Sequence, residues 1–211
     1  LVGWGEFNVN FLPDVNAGAM QQKADEWAVG RDPQNIVKFH RDCPLETRLK
    51  SGLEMALWDI AGKAAGLPVA SLMGGIVRDR VEVAACMGIQ TYEVAGEKAT
   101  WFVEQGFRSL KTKAGSNMDE DVEMVRGVRD AVGDKLKLRI DPNRAYSLDE
   151  ATALCKRLEQ YDLEYLEQPI AAEPLSEAFE LRQRTTVPIA LNESVVEPDS
   201  VLRILQEDAA Q

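Results

Sequence analysis

From residue 81 onward, short runs typical of β-strands alternate with runs that have helical periodicity. This alternation is the pattern of parallel strands joined by crossover helices. Between the predicted strands, apolar residues recur at three- and four-residue spacing, so each helix has a face that can pack on a sheet. Five strands are predicted, at residues 81–85, 109–113, 136–141, 164–167 and 188–192. The pattern predicts an α/β fold.

Two architectures can hold five strand–helix units. A closed (β/α) barrel needs eight strands and typically about 250 residues, so three units would be absent from these 211 residues. An open doubly wound sheet could be complete with five strands, but no glycine-rich phosphate loop follows the first predicted strand. We therefore predict an incomplete TIM-type barrel, whose first five units occupy residues 79–211.

Residues 1–78 have a different pattern. A short strand is predicted at Val2–Val9 and a helix near Met20–Val29. A strongly amphipathic helix follows, with apolar residues on one face between Leu49 and Ala64, and Gly66-Leu67-Pro68 ends it. This region is predicted to be a partial α+β capping domain, with its boundary near residues 74–80.

Charge and composition exclude several classes of protein. The 24 basic and 35 acidic residues give a net charge of −11, which disfavours nucleic acid and anionic membranes as partners. No apolar run approaches the roughly 18–20 residues of a membrane span, and the first residues lack the basic flank of a signal peptide, which predicts a cytoplasmic protein. The single histidine, His40, disfavours a serine or cysteine triad.

Two lysines mark the end of the second predicted strand. Lys111 and Lys113 are two residues apart, so they face the same side of a strand. Active sites lie at this C-terminal end of a barrel. If the lysines face a confined interior, their mutual repulsion and desolvation are expected to lower the pKa of one of them, making it a useful base. The alternative is an ordinary solvated strand face.

Oxygen-bearing side chains mark the ends of the next three strands. Asp141, Glu167 and Glu193 follow one another at intervals of 26 residues, and Asn192 precedes the last. Adjacent parallel strands would bring these side chains to one rim. Because such hard oxygen ligands suit Mg²⁺, the pattern predicts a magnesium site opposite the lysines.

A lysine base beside a divalent cation suits one kind of reaction. A proton next to a carboxylate is very weakly acidic, because its removal leaves a dianionic enediolate. A cation on the carboxylate oxygens can stabilise that charge while the lysine takes the proton.

Six short motifs occur in order along the chain. They are Gly3-Trp4-Gly5-Glu6, the run from Ala56 to Lys63, Leu72-Met73-Gly74-Gly75, Lys111-Thr112-Lys113, Asp141-Pro142-Asn143 and Glu167-Gln168-Pro169. With these motifs the sequence resembles the mandelate racemase and muconate lactonizing enzyme group of the enolase superfamily, as if truncated at both ends. The resemblance implies a capping α+β domain, a modified (β/α) barrel and Mg²⁺ at the ends of the third to fifth strands.

The resemblance also assigns roles to positions. It implies that Lys113 is the general base, with Lys111 tuning its pKa, and that Asp141 and Glu167 are metal ligands. The third ligand stays open between the amide oxygen of Asn192 and the carboxylate of Glu193. Three carboxylates hold a hard dication better than two, which favours Glu193.

Other residues are candidates for contact with the substrate. Asn143 faces the same way as Asp141 and could orient a metal-bound oxygen. Asn8, Asn10 and Phe11 stand where the resemblance implies a specificity loop, although an ordinary turn into Pro13 would explain them equally well.

The reaction itself is left open by the sequence. We predict α-proton abstraction from a small-molecule carboxylate by a racemase, epimerase or cycloisomerase. Dehydration of an acid sugar is an alternative, as is a non-catalytic barrel fragment that binds a metal or a carboxylate. The opposing acid or base would come from later strands, beyond this sequence. The resemblance also implies a homo-oligomer.

Overall fold

The computed structural model describes residues 1–7 and 16–210, which form two compact units. The first unit is Leu1–Val81 and the second is Glu82–Gln211. In the described parts of the chain, no helix is both long enough and apolar enough to cross a membrane.

In its described residues, the first unit contains four helices: α1 (Ala17–Ala28), α2 (Ile36–Asp42), α3 (Thr47–Ala65) and α4 (Val69–Leu72). The side chain of Asn16 caps α1 by accepting the N–H of Ala19. Gly66 ends α3 with a φ of 68°, in the left-handed region that suits glycine. Both helices predicted in this region are confirmed, with ends that differ by a few residues.

The strand predicted at Val2–Val9 is wrong over its described part, because residues 1–7 form no strand. Instead, this segment lies against α3. The N–H of Trp4 donates to Asp59 at 2.8 Å, and Lys63 Nζ donates to the carbonyl of Val2 at 2.8 Å. A Cβ on Gly3 would stand 2.2 Å from the carbonyl oxygen of Ala56, so only glycine allows this approach.

The second unit alternates strands and helices along its length. Its strands are β1 (Ala85–Met87), β2 (Ser109–Lys113), β3 (Lys137–Asp141), β4 (Leu163–Glu167) and β5 (Ile189–Ala190). Its helices are α5 (Tyr92–Glu104), α6 (Met118–Val132), α7 (Leu148–Leu158), α8 (Leu175–Arg184) and α9 (Pro198–Gln206), with a short 3₁₀ turn at Glu159–Tyr161.

All five strands pair in parallel and in sequence order, β1-β2-β3-β4-β5. A doubly wound sheet would reverse its strand order at a switch point, and this sheet does not. The predicted incomplete barrel is therefore confirmed. The sequential order also brings the ends of β2, β3, β4 and β5 to one rim.

The first strand lies later than predicted. The sequence pattern placed it at residues 81–85, whereas pairing begins at Ala85, which lies opposite Leu110 of β2. The valines before it are largely exposed, with 77% of Val81 and 69% of Val83 accessible to solvent. In this register residues 81–83 precede the level at which β2 begins, so they have no ladder partner there.

The two faces of the sheet differ in chemistry. Leu110, Thr112, Leu138 and Ile140 are buried between the sheet and its helices. The same core includes Val125 and Val128 of α6 and Leu154 and Leu158 of α7. The alternate residues of β2 and β3 face the other side, which is the interior side of a barrel, and they are charged or polar.

Candidate active site

Two lysines project from the interior face of β2. Along this strand Leu110 and Thr112 are buried, whereas Lys111 and Lys113 are only partly covered. In the ladder between β2 and β3, Lys113 lies opposite Asp141. The two lysines therefore share a face at the C-terminal end of the strand, as the period of two predicts.

The lysines form ion pairs with two carboxylates. Lys113 Nζ lies 2.6 Å from Asp141 Oδ2 and 2.8 Å from Asn143 Oδ1. Lys111 Nζ lies 2.7 Å from Glu167 Oε1 and 3.0 Å from Asp141 Oδ2. One oxygen of Asp141 is thus shared by both ammonium groups, and one ammonium group joins the ends of β3 and β4.

These contacts shift the pKa of Lys111 upward. Partial burial acts to lower this pKa, but the hydrogen bonds to Glu167 and Asp141 outweigh the burial. The sequence led us to expect a lowered pKa for one lysine of the pair, and Lys111 is not that lysine. The reason is that each ammonium group has a carboxylate partner that compensates for the neighbouring positive charge.

Asp141 is nearly inaccessible, with 1% of its surface exposed, yet its pKa lies below the usual range. Burial acts to raise the pKa of this carboxyl. The hydrogen bonds from Lys113 and Lys111 and from the backbone N–H of Asn143 favour the ionised form more strongly. The site therefore holds a buried negative charge between two cations.

Glu193 reaches the same rim from the end of β5. Its Oε1 lies 3.3 Å from Nδ2 of Asn143 and 3.5 Å from Nε of Arg144. Its Oε2 is buried and has no hydrogen-bond partner within residues 1–7 and 16–210. Asn192, by contrast, is exposed, and its backbone N–H donates to Gln168. The structure thus connects Glu193, through Asn143, to Lys113.

The side chains of this rim have the chemistry of a hard-cation site. Oxygens of Asp141 and Glu167 already converge on one positively charged atom, Lys111 Nζ. Oε2 of Glu193 is buried and has no hydrogen-bond partner among the described residues, so it is a third carboxylate oxygen that could bind a cation. The residues present therefore fit a divalent cation that prefers oxygen ligands.

The three carboxylates do not form a closed ligand cluster in this arrangement. Among the described residues, no group of three acidic, histidine or cysteine side chains is close enough together to hold a metal ion. The ammonium group of Lys111 instead lies between the carboxylates of Asp141 and Glu167, and that of Lys113 lies against Asp141. A cation would have to draw those carboxylates away from the lysines.

Three residues that sequence reasoning did not select also shape the site. Gln168 is fully buried directly after Glu167, Arg144 contacts Glu193, and Tyr146 packs behind the loop that follows Asp141. Gln168 belongs to the motif Glu167-Gln168-Pro169, and the sequence signal for Arg144 and Tyr146 is their position three and five residues after Asp141.

Three candidate residues lie outside the part of the chain that the structure describes. They are Asn8, Asn10 and Phe11, which were predicted to contact the substrate.

Two family models match this chain. The model described as "Enolase C-terminal domain-like" matches residues 93–211, and the model of the "Mandelate racemase / muconate lactonizing enzyme, N-terminal domain" matches residues 1–74. The chain belongs to the mandelate racemase/muconate lactonizing enzyme family. The predicted resemblance to this family is therefore confirmed.

Curated relatives in this family have several activities. The chain is 30% identical over 189 residues to an N-succinyl-L-Arg/Lys racemase from Bacillus cereus, covering 86% of this chain and 51% of the relative. It is 29% identical over 208 residues to a D-galactarolactone cycloisomerase from Agrobacterium fabrum, and the match covers 92% of this chain and 54% of the relative. It is 34% identical over 145 residues to an arabinonate dehydratase from Saccharolobus solfataricus, and the match covers 66% of this chain and 39% of the relative.

A solved structure in the family has the same fold. It is a dipeptide epimerase from Enterococcus faecalis V583, complexed with Mg and the dipeptide L-Leu-L-Tyr. The TM-score is 0.85 at 27% identity, and the match covers 100% of this chain and 61% of that chain. The present chain spans about half the length of the racemase and cycloisomerase relatives.

Proposed function

We propose that this protein, in its longest natural form, is a Mg²⁺-dependent enzyme that removes the proton next to a substrate carboxylate. The observation that carries the proposal is the pairing of Lys113 with Asp141 across adjacent strand ends. It places a proton-accepting group beside a carboxylate that can hold a cation. The family's racemases, cycloisomerases and dehydratases are the source of the reaction class.

Each residue at the rim has a proposed role. Asp141, Glu167 and Glu193 would hold Mg²⁺, and Lys113 in its neutral form would take the α-proton at Nζ. When bound, Mg²⁺ supplies positive charge that stabilises the charge developing on the substrate carboxylate. Lys111 remains an ammonium next to Lys113 and favours the neutral form of its neighbour.

Asp141 contacts both the proposed base and its neighbour. Its Oδ2 lies 2.6 Å from Lys113 Nζ and 3.0 Å from Lys111 Nζ. If Asp141 held a cation, its carboxylate would no longer be free to pair with these two lysines. Asp141 would in this way couple the metal site to the base.

The buried Oε2 of Glu193 favours this residue over Asn192 as the third ligand, because a buried carboxylate oxygen needs a partner. Asn143 donates to Glu193 and accepts from Lys113, so it can orient groups on both sides of the substrate position. Its role as a substrate-binding residue is part of the proposal.

We infer racemisation, epimerisation or cycloisomerisation as the first candidate reaction. Dehydration of an acid sugar is the second candidate, and the arabinonate dehydratase relative supports it. All of these reactions share the first step, so one experiment tests them together. A small-molecule carboxylate partner, a homo-oligomer and a cytoplasmic location stay predictions.

The test is proton exchange in D₂O. The longest natural form of the protein is incubated with Mg²⁺ and a panel of dipeptides, N-acyl amino acids, α-hydroxy acids and acid sugars, and loss of the α-proton is followed by NMR. We expect Lys113→Ala to slow exchange on the order of 10²–10⁴-fold. Lys137→Ala, on the same face but at the other end of β3, serves as the control and should keep the wild-type rate.

Two outcomes would contradict the proposal. Exchange that survives in Lys113→Ala would exclude this lysine as the base. Absence of exchange across the whole panel, in wild-type protein shown to be loaded with Mg²⁺, would favour a non-catalytic barrel.

A further inference from the structure

We propose that Gln168 is a positioning residue: its buried amide fixes the segment 192–194 so that Glu193, and not Asn192, reaches the metal site. The inference rests on the proposed function, because it concerns how the third ligand of that site is held. Neither the sequence pattern nor the chemistry of the metal ligands assigns a role to Gln168.

The backbone of Gln168 is held in an unfavourable conformation. Its φ is 37°, in the left-handed region that non-glycine residues rarely adopt. Such a conformation costs on the order of 1–3 kcal/mol and persists only where its surroundings enforce it. Here the N–H of Gln168 donates to Ala190 at 2.8 Å, and its carbonyl oxygen accepts the N–H of Arg144 at 2.8 Å. The end of β4 is thereby bound to both neighbouring strand ends.

The side-chain amide then organises the loop after β5. Oε1 accepts the backbone N–H of Asn192 at 3.0 Å and that of Ser194 at 3.1 Å. Two N–H groups pointing at one atom require an oxygen, which fixes the orientation of the amide. Nε2 accordingly faces the carbonyl oxygen of Ile170 at 3.2 Å and donates to it.

These two bonds determine the direction of Glu193. An amide oxygen has two lone pairs, and the N–H groups on either side of Glu193 fill both. The Ser194 hydroxyl, also 3.1 Å from Oε1, can then donate its single proton to the carbonyl oxygen of Ala172 at 3.1 Å. With residues 192 and 194 both held at Gln168, the intervening side chain points to Asn143 and the rim.

Burial strengthens the argument. Gln168 is 0% exposed, and it is among the largest fully buried side chains, the others being apolar. A buried amide must satisfy its polar atoms, so its loss would leave the N–H groups of Asn192 and Ser194 without an acceptor. The loop would be free to turn, and Glu193 would lose its fixed position.

The test is a double-mutant cycle read out as Mg²⁺ affinity, using calorimetry on the longest natural form of the protein. Gln168→Met keeps the length of the side chain and removes the amide. We expect it to raise the Kd for Mg²⁺ on the order of 10–100-fold, the usual effect of losing a group that orients a metal ligand. In a Glu193→Gln background the same substitution should change the Kd by less than about twofold, because the ligand that it positions is already lost.

Gln183→Met is the matched control. This glutamine is exposed on α8, so its replacement should leave the Kd for Mg²⁺ unchanged. If Gln168 had a purely structural role, Gln168→Met would lower the stability of the wild type and of Glu193→Gln equally. The effects of the two substitutions on the Kd for Mg²⁺ would then be additive. Additive effects, or an unchanged Kd in Gln168→Met, would overturn the inference.

Wild-type protein that binds no Mg²⁺ would overturn the proposed metal site itself, and this inference with it. If Gln168→Met does not fold, amide hydrogen exchange in the wild type decides the matter. The N–H groups of Asn192 and Ser194 should exchange slowly, whereas exchange at the rate of an unprotected peptide would overturn the inference.

Discussion

The hydroxyl of Tyr146 donates to Oδ2 of Asp121, the same oxygen that accepts the backbone N–H of Gly115 at 2.7 Å. Asp121 lies in the first turn of α6 and is 1% exposed. Its carboxylate therefore joins the loop after Lys113 to the loop after Asp141. Gly115 has a φ of 100°, and a Cβ there would lie 2.5 Å from that of Ala145, so the two loops pack in close contact.

Tyr146→Phe is expected to destabilise the protein by about 1–3 kcal/mol, because it removes one of the two donors to a buried carboxylate oxygen and leaves only the N–H of Gly115. The measurement is urea-induced unfolding. Tyr92→Phe is the control: Tyr92 donates to Asp130 at 2.9 Å in an exposed position, so its loss should change the free energy of unfolding by less than about 0.5 kcal/mol. Equal losses in the two variants would contradict the importance assigned to the buried carboxylate.

Gly127→Ala is expected to destabilise the second unit by about 1–3 kcal/mol through overpacking. A Cβ at this position of α6 would lie 2.2 Å from the carbonyl oxygen of Tyr92, and a backbone atom cannot easily move away. Gly88→Ala is the control, since the nearest atom to its Cβ would be Gln90 Nε2 at 3.9 Å. Thermal unfolding of both variants distinguishes crowding from a general intolerance of alanine.

Glu193→Gln and Asn192→Ala separate the two candidates for the third ligand. We expect Glu193→Gln to weaken Mg²⁺ binding at least tenfold, because it removes a carboxylate whose Oε2 is buried and has no hydrogen-bond partner among the described residues. Asn192→Ala should have less than a twofold effect, since the contact of residue 192 with Gln168 is made by the backbone. The reverse order of effects would assign the ligand to Asn192.

The ion pair between Arg139 and Glu164, at 2.5 Å on the interior face, is expected to make stability depend on pH. The hydrogen bond from Arg139 lowers the pKa of Glu164 below its ordinary value of 4.5, although burial opposes this. A lowered folded-state pKa gives stability that is present above pH 4.5 and is lost as pH falls through the folded value.

Glu164→Gln should accordingly lower the free energy of unfolding by about 1–2 kcal/mol at pH 7. The difference from wild type should shrink as pH falls below 4.5, because the glutamate is then protonated in the unfolded chain and, at lower pH, in the folded protein as well. Unfolding curves recorded between pH 7 and pH 3 measure this. A difference that stays constant over the range would mean that the ionised carboxylate contributes nothing.

The three cysteines are expected to differ in reactivity. Cys86 is exposed on β1, whereas Cys43 and Cys155 are buried. Burial raises the pKa of Cys155 to about 11, which leaves almost no thiolate at pH 8. Iodoacetamide should therefore modify native Cys86 first, as mass spectrometry of peptides would show. Modification of Cys155 at a similar rate would indicate that α7 opens readily.

Much of the second unit can be predicted from sequence because its helix caps and its strand periodicity indicate the same elements. Ser147 and Glu150 form the expected capping box, and Pro198 begins α9 as its position suggests. The two-residue period of β2 places Lys111 and Lys113 on one face. A strand's position along its neighbour is not a local property, which is why β1 was placed too early.

The ion pairs of the rim could not be predicted from sequence. A strand pattern tells which face a side chain occupies, but the choice between a solvated lysine and one paired with Asp141 depends on distances across the ladder. Gln168 is harder still, because its importance comes from bonds to Asn192 and Ser194, more than 20 residues away. The roles of the site residues stay predictions.

The sequential order of the strands has a consequence for how such a site can change. Because Lys113, Asp141 and Glu167 are held by ladder pairing, residues inserted into a helix or a loop on the far side would leave their spacing intact. A slip of one residue within β2 would instead turn Leu110 and Thr112 to the interior and bury the lysines among the helices. The segments between the strands can therefore vary in length. Within a strand, selection must preserve which residues face the interior and which face the helices.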